Sequence, residues 1–210
     1  MVNLNKISAL FLFFISFLAL SAHAADNAWQ SKYNQDGITV DTRPVAGSQL
    51  LEFKADMVLA APLSKIIPIF EDEKILNTWF YQCIQAKLLK DEGSRGKILY
   101  LVFHLPWPVT ERDTIFRRIK TIDPATSSVN FSIEALPDYL PTVKGKVRVL
   151  SIKSHWRFTP LPDGRTEIFF QQHCNPGGFL PPFLVNALAV DTPTNSFKAL
   201  RKLILEESHE

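Results

Sequence analysis

The sequence predicts a protein of the α+β class, in which an antiparallel sheet precedes one long C-terminal helix. Apolar segments of strand length follow one another from residue 83 to residue 174, with hairpin turn signals at 91–94 and 162–164. Strands that are joined by hairpins pair antiparallel. From Pro181 to Glu207 the apolar residues instead recur at helical spacing. A helix of about 25 residues is roughly 37 Å long, enough to cross a whole domain.

The individual elements follow from local patterns. Strands are predicted, in chain order, at 37–43, 50–59, 83–89, 97–104, 112–122, 129–135, 146–160 and 166–174. After the second of these strands Pro62 begins a helix, because proline suits the first helical turn and the apolar residues that follow have helical spacing. Pro68 lies inside that helix and should shorten or kink it. A second helical turn is predicted at 74–79, and Pro193 should kink the C-terminal helix.

The first 24 residues have the pattern of a signal peptide. Lys6 precedes a 12-residue apolar stretch, and Ala22-His-Ala24 is typical of a cleavage site. An uncleaved anchor helix is the alternative, but the stretch is short against the roughly 20 residues that span a bilayer. We therefore expect residues 25–210 to form a single exported domain, located in the periplasm or secreted.

Composition limits the class of partner. The whole chain has a formal net charge of +2 and no dense basic run, which argues against nucleic acid as a partner. Cys83 and Cys174 are the only cysteines, and neither has a second ligand at zinc spacing. We expect no metal and no cofactor.

One segment, residues 103–118, predicts a binding pocket. Its loop contains Trp107 between Pro106 and Pro108, which hold the backbone in a preset extended shape. The strand that follows places Arg112, Thr114, Phe116 and Arg118 on one face and Asp113, Ile115, Arg117 and Ile119 on the other. Each face mixes charged and apolar residues, so periodicity does not choose between them. Such a segment suits a mostly apolar ligand with a polar end.

An ordered set of motifs in this chain resembles the START family of lipid-transfer domains. The matching segments are Pro106–Asp113, Pro176–Asn186, Gly37–Val40, Gly47-Ser48, Glu52–Ala55, Gly145–Arg148 and Ser154–Trp156. The resemblance implies a helix-grip fold, in which a curved antiparallel β-sheet wraps around the long C-terminal helix and encloses a hydrophobic cavity. In that strand order Cys83 and Cys174 are far apart, which favours two unbridged cysteines over a disulfide.

The resemblance also implies site residues. It places Arg112 and Arg118 toward the ligand head group, and the predicted lipid-binding set is Arg112, Phe116, Arg118, Tyr139, Arg148 and Trp156. The predicted gate consists of Leu105, Trp107, Leu184 and Leu188. Sterol-binding relatives can pair the second arginine with a glutamate, but the strand at 98–103 has no acid. Arg118 is then left for a ligand carboxylate or phosphate, for an internal partner such as Asp138, or for an ordinary surface or internal role.

These observations predict a monomeric lipid-binding and lipid-transfer protein that carries one hydrophobic ligand and contacts membranes transiently. No catalytic residue is predicted, since no nucleophile motif is present. The alternative is a helix-grip enzyme of the cyclase or dehydratase type that acts on a polyketide-like substrate, for which Asp113 and His173 are the nearest acid–base candidates. A ligand-sensing module without transfer activity is a third hypothesis.

Overall fold

The computed structural model describes residues 28–105 and 107–206, so the predicted signal peptide and Pro106 lie outside the described residues. The strands are β1 (Gln30–Gln35), β2 (Ile38–Arg43), β3 (Glu52–Leu59), β4 (Cys83–Asp91), β5 (Lys97–Phe103), β6 (Arg112–Ile122), β7 (Val129–Ala135), β8 (Val147–Arg148), β9 (Ser151–Pro160) and β10 (Thr166–Asn175). The helices are α1 (Leu63–Glu71), α2 (Leu76–Trp79) and α3 (Pro182–Glu206), and a 3₁₀ turn covers Gly93–Arg95.

The strands form one sheet in the order β1-β2-β3-β10-β9-β7-β6-β5-β4, in which every neighbouring pair is antiparallel. The short strand β8 pairs in parallel with the start of β6. Helix α3 packs against β2, β3 and α2, and its residues Phe197, Leu200 and Ile204 are fully buried. The predicted helix-grip architecture is confirmed. Within the described ranges, no helix is both long and apolar enough to cross a membrane.

An aromatic cluster fills the part of the sheet's interior nearest to α1. We call it the aromatic plug: Phe70, Trp79, Phe131, Trp156 and Phe158. Phe70, from α1, is its centre, because its ring centroid lies 4.7 Å from that of Phe131, 4.8 Å from Phe158, 5.0 Å from Trp156 and 5.7 Å from Trp79. Buried aromatic pairs at these separations attract one another beyond their burial of apolar area. The plug therefore closes this end of the interior.

Arg118 holds α1 over the sheet. Its Nη1 donates a hydrogen bond to the carbonyl of Phe70 and its Nη2 donates one to the carbonyl of Glu71, each at 3.1 Å. The last carbonyls of a helix have no partner within the helix, and a cation near them is favoured by the helix dipole. The guanidinium also lies 5.7 Å from the ring centroids of both Phe70 and Phe131. All of these contacts fix Phe70 in the plug.

Two differences from the predicted elements have clear physical reasons. Strand β1 was not predicted, because its sequence is polar and its residues are mostly exposed, so that no apolar alternation marks it. The single strand predicted at 146–160 is wrong. The chain changes partner there, since the amide of Val149 donates to the carbonyl of Asp113 on β6 and the amide of Leu150 donates to Asn175 at the end of β10. The strand is thus interrupted between Arg148 and Ser151.

A buried ion pair joins β8 to β6. The guanidinium of Arg148 donates to both carboxylate oxygens of Asp113, at 3.0 Å each, and both side chains are almost fully buried. The same guanidinium also donates to the carbonyls of Pro137, Leu140 and Pro141. Arg148 therefore ties the segment at 136–146, which follows β7, to the start of β6.

We predict that Arg148→Met lowers the free energy of unfolding by about 3–5 kcal/mol, because it leaves a buried carboxylate and three carbonyls without their partner. Urea titration followed by tryptophan fluorescence measures this. Arg157→Met is the matched control: that guanidinium stands 4.8 Å from the Phe169 ring and its loss should cost less than about 1 kcal/mol. Adding Asp113→Asn to Arg148→Met should recover part of the loss. Equal costs for the Arg148 and Arg157 variants would contradict the structural role of the pair.

Candidate functional site

A cavity of about 160 Å³ lies between the sheet and the first half of α3. Its wall is mostly apolar, which suits a hydrophobic ligand. The apolar wall residues are Leu51, Phe53, Phe80, Leu101, Phe103, Leu105, Phe116, Ile133, Val149, Ile152, Trp156, Pro176, Val185, Leu188 and Ala189. Gln82, Gln172, Thr192, Tyr81 and Cys174 also line it, together with Arg112 and Thr114.

Arg112 is the polar group that distinguishes this cavity. It is 4 % exposed, and its one hydrogen bond to a described residue is from Nη1 to the carbonyl of Thr110. Its Nε has no hydrogen-bond partner, and across residues 28–105 and 107–206 no carboxylate pairs with it. Burial of the guanidinium lowers its pKa. Thr114, two residues further along the inner face of β6, is also buried, and its hydroxyl has no partner.

The acids on either side of Arg112 in sequence are engaged by other cations. Glu111 pairs with Lys146, which lowers the pKa of the Glu111 carboxyl group. Asp113 belongs to the other face of β6 and pairs with Arg148. A buried charge without a partner is costly, and an unmet buried donor adds to that cost. A ligand that offers a hydrogen-bond acceptor to Arg112, preferably an anionic one, would therefore stabilise this site.

The structure divides the predicted lipid-binding residues into two groups. Arg112, Phe116 and Trp156 line the cavity together. The prediction is corrected for the other three residues, none of which is in the cavity wall. Arg118 is bound to the α1 carbonyls instead of a ligand or Asp138, and Arg148 is bound to Asp113.

Tyr139, the third of these residues, is partly exposed in the segment at 136–146 that Arg148 holds against the sheet. Spacing along the sequence could not reveal that Arg118 binds the α1 carbonyls or that Arg148 binds Asp113, because these partners lie 35 to 48 residues away. That Arg112, Phe116 and Trp156 contact a ligand stays a prediction.

The predicted gate residues also divide into two that line the cavity and two that do not. Leu105 and Leu188 line the cavity, whereas Leu184 is outside its wall and Trp107 is 92 % exposed. Sequence reasoning missed Phe179 and Phe183, which are likewise highly exposed, although the run of glycines and prolines around them was noted. We call Trp107, Phe179 and Phe183 the apolar rim.

Two residues of the apolar rim, Trp107 and Phe179, are in loops beside the Arg112 end of the cavity, and Phe183 is in the first turn of α3. Trp107 is in the loop that leads directly into Arg112. Gly178, beside Phe179, approaches Arg112 so closely that a Cβ built on it would lie 3.7 Å from Nη2 of that residue. Pro176 and Leu105, from the same two loops, line the cavity. An exposed cluster of large apolar side chains of this kind marks a surface that contacts protein or membrane.

The residues considered for acid–base chemistry are not assembled into a site. Asp113 is paired with Arg148, and Nε2 of His173 lies 3.3 Å from Oγ of Ser48; neither side chain lines the cavity. Cys174 does line it, but burial raises the pKa of its thiol to about 12, which keeps it protonated at neutral pH. Cys83 and Cys174 are both unpaired. Among the described residues, no group of three His, Cys, Asp or Glu side chains is placed to hold a metal ion.

Comparison with known proteins identifies the family. The family model for the START domain matches residues 17–207. The chain belongs to the START domain family. An uncharacterized protein of Pseudomonas aeruginosa is 32% identical over 182 residues, which are 87% of this chain and 89% of that protein. The family match confirms the resemblance drawn from the sequence motifs.

Solved structures agree with this assignment. A fragment of a STAR-related lipid transfer protein from Xanthomonas axonopodis is 32% identical, with a TM-score of 0.78 over 85% of this chain and 99% of that one. Human StAR-related lipid transfer protein 5 is 14% identical, with a TM-score of 0.77 over 97% of this chain and 94% of that one. At 14% identity, the similarity to the human protein shows the fold alone.

The different surroundings of Arg112 and Arg118 predict opposite effects on stability. Arg112→Met should leave the free energy of unfolding of the ligand-free protein unchanged or raise it, since it replaces a desolvated, unpaired cation by an apolar chain of similar length. Arg118→Met should lower it by about 2 kcal/mol or more, because two hydrogen bonds from a charged donor are lost. Chemical unfolding of both variants, stripped of any bound lipid, measures the difference. A larger loss for Arg112→Met than for Arg118→Met would contradict this assignment.

Proposed function

We propose that this START protein binds one lipid-like hydrophobic molecule in the cavity, with the polar head of that molecule at Arg112 and Thr114. The observation that carries the proposal is the buried guanidinium of Arg112, which has no ion-pair partner among the described residues and lies at one end of an apolar cavity. A ligand that accepts hydrogen bonds from Arg112 removes the cost of this arrangement. The same ligand buries its apolar part, at about 0.8 kcal/mol for each CH₂ group.

The composition of the wall supports binding without chemical conversion of the ligand. General acid–base catalysis needs a proton donor or acceptor at the reacting atom, most often histidine or a carboxylate. In the described part of the chain, the cavity wall contains no histidine, aspartate, glutamate or lysine. The STAR-related lipid transfer protein of Xanthomonas axonopodis, at 32% identity, supports the same choice.

We further infer that the protein exchanges its ligand at a membrane through the apolar rim. Aromatic side chains favour the interface between water and lipid, and those of the rim are exposed beside the cavity. The signal-peptide pattern at residues 1–24 supports export to the periplasm or out of the cell. We propose that the protein carries its lipid through water there as a monomer. Shielding of the apolar ligand is the physical task of such a carrier.

Native mass spectrometry of the protein, purified from the cells that make it, tests the binding proposal. We expect one small hydrophobic molecule per chain, which organic extraction and fragmentation then identify. Arg112→Met should carry much less of the same molecule, whereas Arg157→Met, altered outside the cavity, should carry the wild-type amount. A protein that is empty on purification and also refuses fluorescent lipids would refute the proposal.

The apolar rim is tested by transfer kinetics. Trp107→Ala and Phe179→Ala should each slow transfer of a fluorescent lipid between vesicles several-fold, because each removes an aromatic contact with the membrane interface. Equilibrium binding should change by less than about twofold, since neither residue lines the cavity. Ile122→Ala is the control, an exposed apolar residue at the opposite end of β6 from Arg112. Equal losses of transfer and binding would discard the role of the rim.

A further inference from the structure

We propose that the ligand is a single-chain monocarboxylate of about eight carbon atoms, and not a sterol or a two-chain phospholipid. This inference rests on the proposed function and narrows its ligand class. Three features of the cavity carry it: the charge at its polar end, the free edge of the Arg112 guanidinium, and the distance to the wall formed by the aromatic plug.

The charge of the cavity calls for a head group with one negative charge. Arg112 is the only lysine or arginine in the wall, as far as the chain is described, and no acid accompanies it. A monoanion neutralises this single cation. A doubly charged head such as a phosphate monoester would bury a second charge without a partner, which is costly. A phosphodiester is a monoanion but carries a substituent on both sides, which needs more room than the cavity provides.

The geometry of Arg112 matches a carboxylate in particular. Nη1 is occupied by the carbonyl of Thr110, while within residues 28–105 and 107–206 neither Nε nor Nη2 has a hydrogen-bond acceptor. These two groups form one edge of the planar guanidinium, and two parallel N–H groups on such an edge bind the two oxygens of a carboxylate. Gly178 keeps space beside Nη2, because an added Cβ would lie 3.7 Å from that nitrogen. The hydroxyl of Thr114, on the same face of β6, is buried and also has no partner among the described residues.

The depth of the cavity sets the length of the apolar tail. Along β6, Arg112, Thr114 and Phe116 line the cavity, but Arg118 does not, because it is bound to the carbonyls at the end of α1. Four residues of strand are about 13 Å long. Beyond Phe116 lies the aromatic plug, of which only Trp156 faces the cavity. A tail whose carboxylate is held at Arg112 therefore meets a wall after this distance.

The volume also argues against a large ligand. A cavity of roughly 150 Å³ accommodates one benzene molecule, and pockets for drug-sized ligands occupy roughly 300–1,000 Å³. At about 160 Å³ the present cavity is far below the second range. A sterol or two acyl chains would require the plug to move, whereas a short single chain would not. A short-chain carboxylate fits the single charge of the site, the edge of the Arg112 guanidinium and the depth of the cavity.

Isothermal titration calorimetry with two series of probes tests the inference, each probe being kept below its critical micelle concentration. The first series varies the chain, with straight carboxylates from butanoate to hexadecanoate. Affinity should rise about fourfold per methylene up to about eight carbons and fall for longer chains. The second series keeps eight carbons and varies the head, with octanoate, octanol, octylamine and octyl phosphate. Octanoate should bind most tightly.

Three variants separate the contributions of head and depth. Arg112→Met should lower the affinity for octanoate about 30-fold or more and leave the affinity for octanol nearly unchanged, because only the carboxylate binds the charged guanidinium. Arg157→Met, outside the cavity, is the control and should change neither. Ile133→Ala removes three carbons from the wall where β7 pairs with Arg118, and should move the preferred chain length upward by about two carbons. Thermal unfolding checks that each variant is folded.

The outcomes distinguish this inference from the proposed function. Tighter binding of hexadecanoate, a sterol or dioleoylphosphatidylcholine than of octanoate would overturn the ligand class and leave lipid binding intact. Equal affinity of the wild-type protein for octanol and octanoate would contradict the proposal that Arg112 binds the ligand's head group. Binding of none of these probes would refute the proposed function itself.

Discussion

The two hydrogen bonds from Arg118 to the last carbonyls of α1 fix the interior of this protein. They hold Phe70 at the centre of the aromatic plug, and the plug determines where the open cavity ends. A buried guanidinium needs acceptors, and a helix C-terminus has carbonyls that need donors. Each satisfies the other here. The residue that the family resemblance offers as a ligand contact is in this chain the one that fixes the wall of the cavity.

Arg112 shows what the same side chain does without such partners. It lies six residues earlier on the same face of β6, but no helix end or carboxylate of the described residues reaches it. Natural proteins keep a locally unfavourable group of this kind where function requires it, at some expense of stability. The contrast between the two arginines thus separates the structural role of Arg118 from the binding role that we propose for Arg112, although residue type, strand and face are identical.

Local patterns predicted much of the fold and part of the site. The strands from β2 to β7 and helix α3 were predictable because apolar periodicity is a local signal, whereas the polar strand β1 gives none. The partner change at Val149 and the pairing of Arg148 with Asp113 depend on residues distant in sequence. Face assignment alone could not separate Arg112 from Arg118, since their difference lies in where α1 ends in space. The exposed Phe179 and Phe183 followed no periodicity at all.

Helix α3 is attached differently along its two halves, and this decides which wall of the cavity can yield. Phe197, Leu200 and Ile204 are buried in the core, whereas Val185, Leu188 and Ala189 line the cavity. Pro193 separates the halves and cannot donate the hydrogen bond that a helix requires there. The first half is held mainly by Asn186, which bonds to the main chain of Leu51 and Gln49. Movement of this half alone would leave the plug in place, so we expect the length limit set by Arg118 to apply also when a ligand enters or leaves.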